Sequence, residues 1–224
     1  FEITSPVLRP NGISSSTYAN STNAVDSDDL TIVGNGNSRT VTIDTAETAK
    51  SVATKINAVA GATAVLAQAR TTATLRSSSE TDVSYTIKIN DIETAAFNLS
   101  SAGVTDAVTK INTITSSTGV MAAATTDGRV RLIDADGDDI TIENTSTQAS
   151  LFVGALENDG ATVAAGGGED NLAAAGGSDL TTISGSLRLT STAGFTVTQS
   201  ASTTSQKEVS TTANLITGAI ASAS

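Results

Sequence analysis

Cysteine, histidine and tryptophan are all absent from this sequence. Without cysteine there is no disulfide framework and no thiol nucleophile. Without histidine the commonest general base and the commonest metal ligand are lost together. A Ser-His-Asp triad and a His-Glu-x-x-His zinc site are thereby excluded. No Ser-x-x-Lys occurs to supply a serine–lysine pair instead. Aromatics are scarce at 3%, so the core must be thin and built from Ile, Val, Leu and Ala. Positive charge is scarce too: 12 Lys and Arg stand against 23 Asp and Glu, a net charge of −11. That balance repels phosphate backbones and anionic bilayers, so neither nucleic acid nor a membrane is expected as a partner. No apolar run approaches the roughly 20 residues that span a bilayer. Phe1-Glu2-Ile3-Thr4 lacks the basic start and apolar core of a signal peptide. With no Met at position 1, the expectation is an internal fragment, or export without a cleaved signal.

What is present is Thr, Ser, Ala and Gly in a repeating order. Thr45 to Asn57, TAETAKSVATKIN, returns as Ser100 to Asn112, SSAGVTDAVTKIN, at an offset of 55 residues without a gap. A fixed internal period marks a repeated supersecondary block. Ala49, Val52, Ala53, Ile56 and Val59 fall on one face of a 3.6-residue period, as do Val104, Ala107, Val108 and Ile111. Each stretch reads as a short amphipathic helix, the first over about Thr45 to Val59, with a narrow Ala/Val face suited to a sheet. Asp44, with Glu47 three residues on, is expected to cap the first helix, and Ser100 or Ser101 the second. Gly61 is the expected C-terminal stop of the first.

Strands are expected around each helix. Leu30 to Val33 and Thr40 to Ile43 flank the turn Gly34-Asn35-Gly36-Asn37, a hairpin signal and not a phosphate loop. Val65 to Ala69 and Ala73 to Arg76 follow as strands. The second copy brings Val83 to Ile89, Thr94 to Leu99, Val120 to Ala124, Val130 to Ile133 and Ile140 to Glu143. The expected fold class is α+β, mostly β. It consists of repeated β-β-α-β-β units with short helices packed on antiparallel sheets. The expected organisation is a lead-in at 1–29, holding one strand at Phe1 to Ile3 or Val7-Leu8, then a first unit at 30–84 and a second at 85–145. A β-rich, Gly/Ala-loop segment follows at 146–204, and an exit segment at 205–224, read as a helix with a Thr-rich strand as the competing reading. Leu187-Arg188-Leu189 and Phe195 to Thr198 read as a hairpin that echoes Val130-Arg131-Leu132 and Ile140 to Ile142, the tail of a degenerate third unit.

The repeated block resembles the flagellin IN motif of bacterial flagellins and hook-associated proteins, named for its Ile-Asn pair. That pair is Ile56-Asn57 and Ile111-Asn112 here, and the Thr-Gly-Val that follows in the family is matched by Thr118-Gly119-Val120. In the first copy Ala64 stands where the family has Gly. The resemblance covers about residues 30 to 145. It implies a structural, non-enzymatic role in the extracellular outer domains of a flagellin. The partners would be other flagellin subunits, reached through polymerising helices that this chain does not contain. The chain alone would then be monomeric and carry no cofactor. A hook-associated or cap protein shares the motif. An adhesin or receptor-binding module is the alternative of a different class, to be tested on a glycan array.

Asp134-Ala135-Asp136-Gly137-Asp138-Asp139 is the sharpest candidate for a ligand. A Ca²⁺ loop of the EF-hand kind needs Gly at position 6 and Glu at position 12. Here Gly137 stands at position 4 and Thr145 at position 12, so a hairpin turn at Asp136-Gly137 is expected, without metal. The carboxylate pairs Asp28-Asp29, Asp138-Asp139 and Glu169-Asp170 lie in polar runs expected to leave their acidity ordinary. Asn20, Asn98 and Asn144 begin glycosylation sequons by pattern alone.

Overall fold

The computed structural model describes residues 14–16, 25, 27–156, 169–175 and 180–199. The chain runs β1 (Ser14–Ser16), β2 (Asp28–Gly34), β3 (Asn37–Ile43), α1 (Ala49–Ala58), α2 (Ala60–Thr63) and the long β4 (Val65–Ser77). Then come β5 (Val83–Tyr85), β6 (Ile87–Ile89), β7 (Ile92–Glu93), β8 (Phe97–Leu99), α3 (Thr105–Asn112), α4 (Thr115–Thr118) and β9 (Val120–Ala124). It closes with β10 (Val130–Asp134), β11 (Ile140–Asn144), β12 (Leu151–Leu156), β13 (Glu169–Leu172), β14 (Leu180–Ile183), β15 (Ser186–Ser191) and β16 (Phe195–Gln199). Every described strand pair is antiparallel. The fold is α+β and mostly β, as the Thr-rich alternation and the two short helical periods require.

The 55-residue offset is structural as well as textual. Asn35 and Gly36 turn β2 into β3 with φ of 50° and 73°, and Asn90 and Asp91 turn β6 into β7 with φ of 48° and 65°. Two positive φ angles are what a two-residue type I′ hairpin demands. α1 and α2 correspond to α3 and α4, and the first half of β4 to β9. The next strands also correspond: Leu189 of β15 lies opposite Ala67 of β4, as Leu132 of β10 lies opposite Ala122 of β9. Phe195 of β16 lies opposite Gly34 of β2, as Ile142 of β11 lies opposite Ile89 of β6.

The second unit is therefore nested inside the first. β15 and β16 do not pair with each other as a hairpin and are not the tail of a third unit. They return to β4 and β2 and close the first unit, so it does not end near residue 84. β4 is one strand, not two, and joins the units. Its first half pairs with β15, while its second half lies between β10 and β12.

Two apolar cores follow the same division. The first gathers Leu30, Ile32, Val41, Ile43, Val65, Leu187, Leu189 and Val197 around Ala49, Val52, Ala53 and Ile56 of α1. The second lies between a six-stranded and a five-stranded sheet, ordered β13-β12-β4-β10-β9 with β15 beside β4, and β1-β14-β11-β6-β7. It holds Leu75, Ile87, Ile89, Val130, Leu132, Ile140, Ile142 and Ile183, with Ala107 and Ile111 of α3. Tyr85 and Phe97 are its only large rings among the described residues, 6.2 Å apart. The Tyr85 hydroxyl lies 2.9 Å from Ser77 Oγ and 2.6 Å from Ser150 Oγ.

Local signals differ from expectation at the helix ends. Thr48, not Asp44, caps α1, its hydroxyl accepting from Ser51 N at 3.3 Å. Glu47 still reaches back to Asp44 N, at 2.8 Å, but across the turn before the helix. α3 starts after Val104 with no side-chain cap, so neither Ser100 nor Ser101 serves. Gly61 lies inside α2, and the left-handed stop is Ala64, at φ 56°. Strands β12, β13 and β14 lie in the segment at 146–204, where strands with Gly/Ala loops are expected. The expected strand at Phe1 to Ile3 or Val7-Leu8, and the exit segment at 205–224, lie outside the described residues.

Candidate functional site

Ile56 and Ile111 are fully buried, one in each core. The asparagine after each points the other way, to the surface, and grips a strand. Asn57 Nδ2 donates to the Ala67 carbonyl at 2.9 Å, and its Oδ1 accepts from Ala67 N at 2.8 Å. Asn112 repeats this on Ala122, at 2.9 and 2.8 Å. One side-chain amide thus satisfies both backbone groups of one strand residue. A helix supplies it because the last turn brings its Asn beside the strand on which its Ile is packed.

The next element is repeated too. Thr63 Oγ1 donates to Val59 O at 3.1 Å and accepts from Val65 N at 3.3 Å. Thr118 Oγ1 donates to Ile114 O at 3.2 Å and accepts from Val120 N at 3.1 Å. Between each Thr and its strand one residue takes the left-handed conformation: Ala64 at φ 56° and Gly119 at φ 75°. Ile56, Asn57, Ile111, Asn112, Gly119 and Val120 thus come together as two copies of one helix-to-strand joint. Thr63 and Thr118 belong to the joint as well. Their identity at the same offset was the signal for them.

The acidic loop is not a hairpin turn. It links β10 to β11, which lie in different sheets. Buried Asp134 accepts at Oδ1 from the N–H groups of Asp136, Gly137 and Asp138, at 2.9, 2.9 and 3.3 Å. Desolvation pushes its carboxyl above the ordinary range, against the pull of those three bonds, and the Asp138 charge adds to the rise. The outer carboxylates turn to α1 of the first unit, where Lys50 Nζ lies 2.6 Å from Asp138 and 3.4 Å from Asp136. Lys50 N donates to Gly137 O at 3.1 Å, and Thr71 Oγ1 donates to Asp138 O at 2.6 Å. The loop ties the inserted unit to its host. Among the described residues no cluster of acidic side chains is arranged to hold a metal ion.

The carboxylate pairs separate. Glu169, expected to be ordinary, is held by Arg76 and Arg129, and the Arg76 hydrogen bonds draw its pKa below the usual carboxylate range despite partial burial. The Arg76 guanidinium also lies 4.3 Å from the centre of the Phe152 ring, a cation–π arrangement. This knot fastens β13 to the sheet, and no local sequence pattern announced it. Asn144 is buried and donates to Gln148 O and Ala173 O, at 2.6 and 2.8 Å, so its amide is not presented to a glycan. Asn98 lies exposed on β8, and Asn20 is outside the described residues. No protein-family model matches the chain, and no curated protein matches it.

Proposed function

We propose that this chain is a structural module, the outer, surface-exposed region of a bacterial flagellin, displayed outside the cell along the filament. The observation that carries the reading is the duplicated joint: two Ile-Asn turns, 55 residues apart, each bury the Ile and clamp a strand with the Asn. A device repeated with the same Ile, Asn and Thr in both units, on a chain with no His or Cys, fits a scaffold better than a reaction centre. Hook-associated and cap proteins share the motif and would use it in the same way. Immunogold electron microscopy of isolated flagella, with antibody raised against this chain, separates these outcomes. Label along the whole filament is the expected result. Label confined to the hook junction or the distal tip would reassign the chain to a hook-associated or cap protein. Flagella free of label would refute the flagellar role altogether.

A further inference from the structure

An edge strand is a template for another chain, and proteins guard edges with charge, proline or bulges. Two edges of this chain carry none of these. Val65 to Ala69 reads Val-Leu-Ala-Gln-Ala, and β9 reads Val-Met-Ala-Ala-Ala, both without a charge in a protein of net charge −11. β9 ends its sheet. Among the described residues the start of β4 pairs only with β15, because β10 and β12 join from Thr71 and Thr72 onward. Beside each edge a large apolar side chain stands in solvent at the equivalent position: Leu66, 57% exposed, and Met121, 56% exposed. These are the properties of a surface that pairs with its own copy.

What stands in the way is the asparagine. A strand residue's N–H and C=O leave on the same side. Those of Ala67 and Ala122 point away from Leu189 and Leu132, toward the open edge, and Asn57 and Asn112 occupy both. Thr63 and Thr118 take the next outward N–H groups, those of Val65 and Val120.

We propose that Asn57 and Asn112 are edge plugs, closing two strand-acceptor surfaces whose fitting partner is the same edge of a second copy of this chain. Two antiparallel strands related by a two-fold axis are self-complementary, so one opened edge gives a closed dimer and two give open-ended assemblies. This inference rests on the edge geometry and holds whether or not the chain belongs to a flagellum.

The test is sedimentation of the full chain over a range of concentrations, with cooperative melting as the check on folding. The unsubstituted chain is expected to remain monomeric. Asn112→Ala is expected to shift toward a dimer as concentration rises, and Asn57→Ala/Asn112→Ala toward larger species. Adding Leu66→Lys and Met121→Lys to the double variant is expected to restore the monomer, since like charges then meet across each edge. A folded double variant that stays monomeric overturns the proposal, as does association that the lysines leave untouched. Amide exchange in the unsubstituted chain decides the matter even if the variants fail to fold. Ala67 and Ala122 must be protected although no described strand faces them on that side, and exchange at the rate of unbonded amides would sink the proposal.

Discussion

Ala64 and Gly119 hold the same left-handed joint, and only one of them suits it. A residue with a Cβ costs about 1–2 kcal/mol in that conformation, while glycine gives back roughly 0.5–1 kcal/mol in chain entropy. Ala64→Gly should therefore stabilise the chain by about 0.5–1 kcal/mol. Gly119→Ala should destabilise it by more than that gain, because its new Cβ would also stand 3.0 Å from Asp134 Oδ2. Urea midpoints of the two variants check both signs. Asp134 offers a second test. Its folded pKa lies above the ordinary 3.8, so the folded state binds its proton more readily than the unfolded chain does. Its contribution therefore favours folding at low pH and is lost as pH rises through the raised value. Glu169 and Glu47 behave oppositely. Their folded pKa values lie below 4.5, so their stabilisation holds above that pH and fades as acid is added. Asp134→Asn keeps an oxygen acceptor and removes the charge. Its melting temperature should exceed that of the unsubstituted chain near neutrality, and the gap should close as pH falls through the raised pKa and the native carboxyl protonates. A gap that stays constant with pH would remove Asp134 as the cause.

Among the elements, the helices were legible because their periodicity is a packing requirement: Ala49, Val52, Ala53 and Ile56 are spaced for the sheet they now cover. The hairpin turn at Asn35-Gly36 was legible because positive φ narrows the choice of residue to Asn, Asp and Gly. The caps were not, since Asp44, Thr48, Ser100 and Ser101 all have the right chemistry, and the preceding strand decides where the helix begins. β15 and β16 were recognisable as strands, but their partners lie more than a hundred residues earlier (Val65–Arg70 and Leu30–Gly34), and alternation carries no information about distance. The acidic loop failed in the same way. Its composition marked a turn, while its role as a tie to Lys50 and Thr71 depends on α1 and β4, far away in sequence. Because Lys50 already answers Asp136 and Asp138, and Asp134 is spent on three backbone N–H groups, millimolar Ca²⁺ should leave the melting temperature unchanged. An EDTA-reversible rise would show by mass action that the loop binds the ion.

For the whole molecule the nesting sets an asymmetry. Apart from β1 at one edge of its sheet, the inserted unit is closed by strands from the residues between 71 and 185, whereas the first unit is completed only when β15 returns across them. Ile56→Ala and Ile111→Ala should each cost about 2–5 kcal/mol, the range for a buried Ile. Their reach should differ. Hydrogen exchange is expected to show Ile56→Ala lowering protection around the first core alone. Ile111→Ala should lower it in both, because loosening the insert lengthens the loop that the first unit must close. Equal and local effects in the two variants would mean that the units are energetically separate. The same long return has a meaning in time. On a ribosome adding 5–20 residues per second, β4 emerges on the order of ten seconds before β15 can reach it. Throughout that interval Leu30, Ile32 and Val65 await Leu187, Leu189 and Val197, and the second core waits nearly as long for Ile183 of β14. The portion synthesised first is completed last, and the burden of staying unaggregated in the meantime falls on β2, β3 and the start of β4.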